Sequence, residues 1–212
     1  MPDIIAWTRG HAGVVARTLG EHVTLSLAAL LIVLAVALPL GVAIARYRQT
    51  AVPIVATVNI LRTIPSLALL VLMLPFLGTG FLPSVTALTL YGLPAVLINT
   101  HVGLTGVDPD VIDAARGQGL SRGQVLRQVT IPLALPVIFA GVRTAAVQIV
   151  SAATLAVFIG GGGLGELISS GMALLDIPQL LIGALLVAGL AVATEFLFGG
   201  AERLIVRQTD SA

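Results

Sequence analysis

The chain has 212 residues, of which 57% are hydrophobic and 10% are charged, and its mean hydropathy is +1.06. Average soluble proteins carry about 25% charged residues, so the composition excludes a soluble domain and predicts a membrane protein. Lysine and cysteine are both absent, which excludes a lysine-dependent P-loop, disulfides and thiolate chemistry. A net charge of +1 argues against a nucleic-acid partner, and we expect no catalytic residues, metal or cofactor.

The chain begins with residues 1–21, in which apolar side chains such as Trp7 are spaced among polar ones. This pattern predicts an amphipathic helix on the membrane surface. Five apolar runs follow, each long enough to cross a bilayer as a helix of about 20 residues. The predicted spans are 23–45, 52–77, 81–103, 133–159 and 179–198.

The second run contains Pro65, which removes a backbone donor and predicts a kinked helix. Together the five spans predict an all-α polytopic membrane protein with one transmembrane domain over residues 1–212.

The arginines predict the orientation of these spans, because loops rich in arginine stay in the cytoplasm. Five spans place Arg9 and Arg17 on one side of the membrane. The other side receives Arg46, Arg48, Arg116, Arg122, Arg127, Arg203 and Arg207. We therefore expect the amino terminus outside the cell and the carboxyl terminus in the cytoplasm.

The polar loop 105–132 predicts two short cytoplasmic helices joined by a turn at Gly119. Asp108 and Pro109 suit the start of the first helix. Ser121 and Gln124 form a capping-box pattern for the second. An ordinary solvated linker is the alternative, but two sets of caps are more organisation than a linker requires.

The spacing of Asp113-Ala114-Ala115, Gly119 and Val129-Thr130-Ile131-Pro132 resembles the E-A-A loop of ABC importer permeases. Further segments at 62–70, 133–138, 153–156 and 161–165 resemble permeases for osmoprotectants such as glycine betaine, carnitine and choline. The resemblance implies a type I ABC importer permease-like fold in the plasma membrane of a prokaryote. It assigns coupling to an ATPase to Asp113, Ala114, Ala115, Gly119, Ile131 and Pro132.

The same resemblance implies a transport subunit rather than an enzyme. The expected partners are a cytoplasmic ABC ATPase dimer, a second permease subunit that is identical or homologous, an external substrate-binding protein and the lipid bilayer. An ABC permease for another small solute, such as methionine, is one alternative. An ion-coupled secondary transporter is another, although such proteins use ionisable residues at the midplane and often inverted repeats.

Polar residues within the spans are candidates for a translocation path, because buried polar groups there usually face the bundle interior or water. Hydrogen bonding between helices is the alternative for the serines and threonines. The candidates are Asn59, Thr63, Ser66, Asn99, Thr144, Gln148 and Ser151. A second group is predicted to act as a gate or hinge, with close backbone packing as the alternative for its glycines: Pro65, Gly161, Gly162, Gly163 and Gly165.

Two arginines lie within the predicted spans, Arg62 and Arg143. An intramembrane arginine requires a partner or access to water. Glu195, near the inner end of the fifth span, is the candidate partner. His101 is predicted to be a hydrogen-bonded histidine near a helix end, with a place on the translocation path as the alternative.

Overall fold

The computed structural model describes residues 4–209, and the regular secondary structure in this part of the chain is helical. Ten α-helices succeed one another within residues 4–209, with a π-helical turn at Leu126–Thr130 and a 3₁₀ helix at Thr154–Ile159. The α-helices are α1 (Ile4–Gly10), α2 (Ala12–Arg46), α3 (Arg48–Thr63), α4 (Ser66–Leu77), α5 (Phe81–Thr105), α6 (Pro109–Gly117), α7 (Arg122–Val125), α8 (Ile131–Ala153), α9 (Gly165–Ala173) and α10 (Ile177–Thr209).

Four helical segments in the described range are long and apolar enough to cross a membrane, and the bent pair α3–α4 makes a fifth if it is one broken span. This agrees with five predicted spans, although the boundaries differ. The helices α5 and α10 extend beyond the predicted 81–103 and 179–198 at their carboxyl ends. The predicted span 133–159 ends in the 3₁₀ helix rather than in α-helix.

The predicted amphipathic segment 1–21 requires a correction. Only α1 forms a separate helix, whereas residues 12–21 continue directly into the first span as part of α2. No proline interrupts the chain between His11 and Val23, so nothing in the backbone chemistry ends the helix there. Residues 1–3 of the predicted segment lie outside the described part of the chain.

The predicted kink at Pro65 is confirmed, and it is a complete break. The axes of the helices on either side differ by 100°. Ile64 has φ −78° and ψ 124°, an extended conformation. Steric conflict with the proline ring disfavours helical geometry in the preceding residue, so α3 ends and α4 begins in a new direction.

The core lies where α2, α5 and α8 pack together, and small residues allow their backbones to approach closely. A Cβ atom placed on Gly41 of α2 would lie 2.6 Å from Thr100 of α5. One placed on Gly141 of α8 would lie 2.8 Å from the carbonyl oxygen of Ala95. These three helices therefore form the rigid frame on which the loop 105–132 and the outer helices are held.

Candidate translocation and coupling sites

The loop 105–132 folds into the two predicted helices, α6 and α7, with the predicted caps. The Asp108 carboxylate accepts a hydrogen bond of 2.9 Å from the backbone N–H of Asp110, and Pro109 occupies the first helical position. The backbone N–H of Ser121 donates to Gln124 Oε1 at 2.9 Å, and Ser121 Oγ accepts from the backbone N–H of Gln124 at 3.4 Å. The capping box is therefore complete, and the prediction of an organised loop is confirmed.

The turn between the two helices depends on Gly119, whose φ is +87°. This backbone conformation is readily open to glycine but strained for most other residues. A Cβ atom on Gly119 would meet nothing within 4 Å. The requirement for glycine here is thus a matter of backbone geometry and not of space.

The residues assigned to coupling divide between the two faces of α6. Asp113 and Ala114 are exposed, and Asp113 forms an ion pair of 3.2 Å with Arg116. Ala115 is buried against the rest of the protein. The loop therefore presents an outward polar face while Ala115 anchors it, a geometry that suits contact with another subunit.

Three of the predicted path residues meet at one cavity of about 300 Å³. Ser66 at the start of α4 faces Gln148 and Ser151 of α8 across it. Tyr91 of α5, which is not among the predicted path residues, completes the polar lining. Within the described side chains, these four polar groups make no hydrogen bond to the protein, so they can receive water or a transported solute.

The other predicted path residues do not reach this cavity. Thr63, Asn99 and Thr144 donate to backbone oxygens of their own helices, at 2.7, 2.8 and 2.8 Å. Asn59 is exposed on α3. Internal hydrogen bonds of this kind satisfy a polar side chain without any solute.

The glycine-rich segment before α9 is packed tightly against the start of the first span. The backbone N–H of Gly163 donates to a carboxylate oxygen of Glu21 at 3.1 Å. A Cβ atom on Gly163 would lie 3.1 Å from the ring of His22, and one on Gly162 would lie 2.8 Å from Glu21. These contacts support the packing interpretation, and a gating role for the glycines stays a prediction.

An ion-pair cluster on the same side of the molecule was not predicted. Arg17 pairs with Glu21 on its own helix at 2.7 Å and with Glu166 of α9 at 2.8 Å. Arg17 and Glu166 are 149 residues apart in the chain. The cluster therefore links the amino-terminal part of α2 to the glycine-rich segment through side chains as well as backbone.

Arg143 forms the predicted ion pair with Glu195, and it also pairs with Glu202 at 3.0 Å. Glu202 lies seven residues after Glu195, on the same face of α10, and this spacing could have indicated it. Arg62 is exposed on α3. The predicted hydrogen bond of His101 is absent at Nδ1, which is buried without a partner among the described residues.

Sequence comparison places the chain among transport proteins. Residues 37–207 match the family described as binding-protein-dependent transport system inner membrane component. The choline transport system permease protein OpuBB of Bacillus subtilis (strain 168) is 38% identical over 203 residues, 96% of this chain and 94% of that protein. The carnitine transport permease protein OpuCB of Listeria monocytogenes is 41% identical over 86% of this chain and 84% of that protein. The osmoprotectant import permease protein OsmW of Salmonella typhimurium (strain LT2) is 40% identical over 92% of this chain and 93% of that protein.

Solved structures with the same fold are ABC transporters. Inward-facing MetNI, a methionine ABC transporter, aligns with a TM-score of 0.80 at 22% identity over 97% of this chain and 99% of that chain. An amino acid ABC transporter aligns with a TM-score of 0.77 at 20% identity over 96% of this chain and 99% of that chain. The likeness confirms the predicted all-α, type I ABC importer permease-like fold. The family match over residues 37–207 and the relatives 38% to 41% identical over most of its length show that the chain belongs to the family of binding-protein-dependent transport system inner membrane components, the permease subunits of ABC transport systems.

Proposed function

We propose that this permease carries quaternary-amine osmoprotectants such as glycine betaine, choline or carnitine across the plasma membrane of a prokaryote. The observation that carries the proposal is the identity of 38% to 41% with permeases named for choline, carnitine and osmoprotectants. These relatives match over most of both chains. The fold alone would fit permeases for other solutes equally well.

The chemistry of the cavity at Ser66 and Gln148 supports this solute class. A quaternary ammonium group donates no hydrogen bond and is attracted to an aromatic face, which Tyr91 supplies. The carboxylate or hydroxyl of such a solute requires hydrogen-bonding groups, which Ser66, Gln148 and Ser151 offer. No ionised side chain lines the cavity among the described residues, so a net-neutral zwitterion meets no uncompensated charge there.

This cavity is suited to passage rather than to tight binding. Strong recognition of a quaternary ammonium group needs several aromatic faces around it, and Tyr91 is the aromatic residue among those that line this cavity. High-affinity recognition therefore belongs to a separate external binding protein. The permease takes the solute from that protein, holds it weakly and releases it inside.

Energy for transport comes from a separate cytoplasmic ATPase dimer, since this chain lacks the lysine that a P-loop requires. The outward face of α6 at Asp113 and Ala114 contacts the ATPase, and the residues at Ile131 and Pro132 carry its movement into α8. A second permease subunit provides the other half of the path. Closure of the ATPases reorients the spans in a rigid-body form of alternating access.

The test is solute uptake by the permease reconstituted with its ATPase, with and without the cognate external binding protein. We expect ATP-dependent uptake of betaine, choline or carnitine that requires the binding protein. Uptake of methionine with failure of every quaternary amine would overturn the substrate class. Uptake driven by an ion gradient without ATP would overturn the ABC mechanism, and tight betaine binding by the permease alone would overturn the division of labour.

Gln148→Leu is expected to slow uptake about two- to twelvefold, because one hydrogen bond contributes roughly 0.5–1.5 kcal/mol. Thr144→Val is the matched control on the same helix, four residues earlier. Thr144 donates to the Ala140 carbonyl, so its loss should leave uptake nearly unchanged. Initial rates of solute uptake into proteoliposomes compare the two variants with the wild type. If Gln148→Leu slowed uptake no more than Thr144→Val, the cavity would not be on the path.

We propose the orientation that the arginines predict, with the amino terminus outside the cell and the carboxyl terminus in the cytoplasm. In this orientation Gln118 and Met172 lie on opposite sides of the membrane. Both side chains are exposed, and the chain has no cysteine of its own. Single cysteines at these positions should react with an impermeant reagent from inside and from outside, respectively. Labelling of both from one side would contradict the five-span topology.

A further inference from the structure

A second, larger cavity of about 580 Å³ lies where the first span meets the cytoplasmic loop. Three elements send an arginine to it: Arg46 from the end of α2, Arg116 from α6 and Arg122 from the start of α7. The cavity is separate from the one at Gln148. Neither the proposed transport path nor the outward face of α6 uses it.

Positive charge in this cavity is only partly neutralised by the described residues. The described residues that line it include no carboxylate. Arg116 pairs with Asp113 at 3.2 Å, between two largely exposed side chains, and such surface pairs are weak. Within the described part of the chain, Arg46 and Arg122 have no ion pair, although Arg46 lies 5.9 Å from the centre of the Tyr47 ring. Two guanidinium groups are thus available to an anion, and guanidinium binds phosphate in a bidentate manner.

Most of the other residues that line the cavity are apolar, with Tyr47 and Thr130 as the exceptions. Val42 and Leu104 come from the cytoplasmic ends of two spans, and Leu126 from the turn after α7. A soluble anion would leave these walls without a partner. The arrangement instead fits a molecule that has an anionic group at one end and hydrocarbon at the other.

We propose that this cavity binds an anionic phospholipid of the inner leaflet, with its phosphate between Arg46 and Arg122 and its apolar part against Val42 and Leu104. Basic pockets between spans on the cytoplasmic side suit such headgroups. The proposal rests on the proposed orientation, which puts Arg46 at the level of the inner headgroups. An ATPase segment is the less favoured occupant, because the loop offers that partner its exposed face at Asp113.

A lipid in this position would join the end of α2 to α7, the second loop helix. The end of the first span and the coupling loop do not otherwise share an ion pair among the described residues. The anionic lipid content of the membrane would therefore influence how firmly the loop is held while the ATPase acts on it.

The test is lipid retention by the purified permease, measured by native mass spectrometry after exchange into detergent with phosphatidylglycerol or phosphatidylcholine. We expect bound phosphatidylglycerol in preference to phosphatidylcholine. The double variant Arg46→Gln/Arg122→Gln should reduce its retention about tenfold, as expected for loss of charge-assisted hydrogen bonds. Arg122→Lys, which keeps the charge but not the bidentate geometry, should retain part of it.

Arg127→Gln is the matched control, because Arg127 is an exposed arginine of the same loop that does not line the cavity. It should retain lipid like the wild type, and all variants should elute as single species on size exclusion. Equal loss in Arg127→Gln, or equal retention of both lipids, would overturn the proposal.

Displacement of the lipid by millimolar inorganic phosphate would identify a site for free anions. If the double variant Arg46→Gln/Arg122→Gln retained lipid like the wild type but no longer associated with the ATPase, the cavity would be assigned to the ATPase. Because binding is measured without transport, an error in the proposed substrate would leave this result unaffected.

Discussion

Gly165→Ala is expected to destabilise the permease by about 3 kcal/mol or more, the upper part of the range for overpacking a core. A Cβ atom at this position would lie 2.0 Å from the backbone oxygen of Thr154 and 3.2 Å from the side chain of Val157. A backbone oxygen cannot rotate away as a side chain can. The start of α9 and the 3₁₀ helix at Thr154–Ile159 must therefore separate to admit one methyl group.

Gly189→Ala is the control for this change. Gly189 lies within α10, and a Cβ atom there would meet nothing within 4 Å. Alanine is favoured over glycine in a helix by roughly 0.5–1 kcal/mol, so this variant should be unchanged or slightly more stable. Thermal unfolding in detergent, followed by fluorescence-detected size exclusion, compares the two. Equal melting temperatures would contradict the close contact at Gly165.

Features set by neighbouring residues were predictable from the sequence. The caps of α6 and α7 depend on side chains within three residues of each other, such as Ser121 and Gln124. The break at Pro65 depends on the proline and the residue before it. The size of that bend, 100°, depends on what α4 packs against, and no local rule supplies it.

The polar residues predicted to line the path show that helical spacing alone does not decide which side chains reach the cavity. Spacing puts Thr144, Gln148 and Ser151 on one face of α8, yet only the last two line the cavity with Ser66. A threonine can satisfy its hydroxyl on the preceding turn of its own helix, as Thr144 does. The long Gln148 side chain makes no such bond to the described residues, so the same face carries both internal and available polar groups.

Ion pairs were predictable only where the membrane makes an isolated charge costly. Arg143 lies within a predicted span, so the sequence predicts a carboxylate partner for it, and Glu195 forms that ion pair. The cluster of Arg17, Glu21 and Glu166 lies at an exposed helix end, where each charge is stable in water. Arg17 and Glu21 are four residues apart on one helix, a spacing that makes them neighbours, whereas nothing in the sequence required Glu166 to meet them, and only the tertiary fold brings it there.

Gly119→Val is expected to abolish transport while the protein still folds and inserts into the membrane. Gly119 has a φ of +87°, and a Cβ atom there would meet nothing within 4 Å, so the strain of this substitution lies in the backbone. The left-handed region costs an ordinary residue roughly 1–2 kcal/mol, and a β-branched side chain is a clear outlier there. The turn would relax, and α6 and α7 would lose the relative orientation that the proposed contact of Asp113 and Ala114 with the ATPase requires.

Two matched variants separate backbone strain from the mere addition of a side chain. Gly119→Asn should keep most of the transport activity, because asparagine tolerates positive φ. Gly117→Val adds the same bulk two residues earlier, where φ is not positive and no atom lies within 4 Å, so it should also transport. ATP-dependent uptake and co-purification of the ATPase measure all three. Transport by Gly119→Val at the wild-type rate would contradict a coupling role for the loop. An equal loss in Gly117→Val would attribute the effect to bulk on the loop surface instead of the backbone conformation at Gly119.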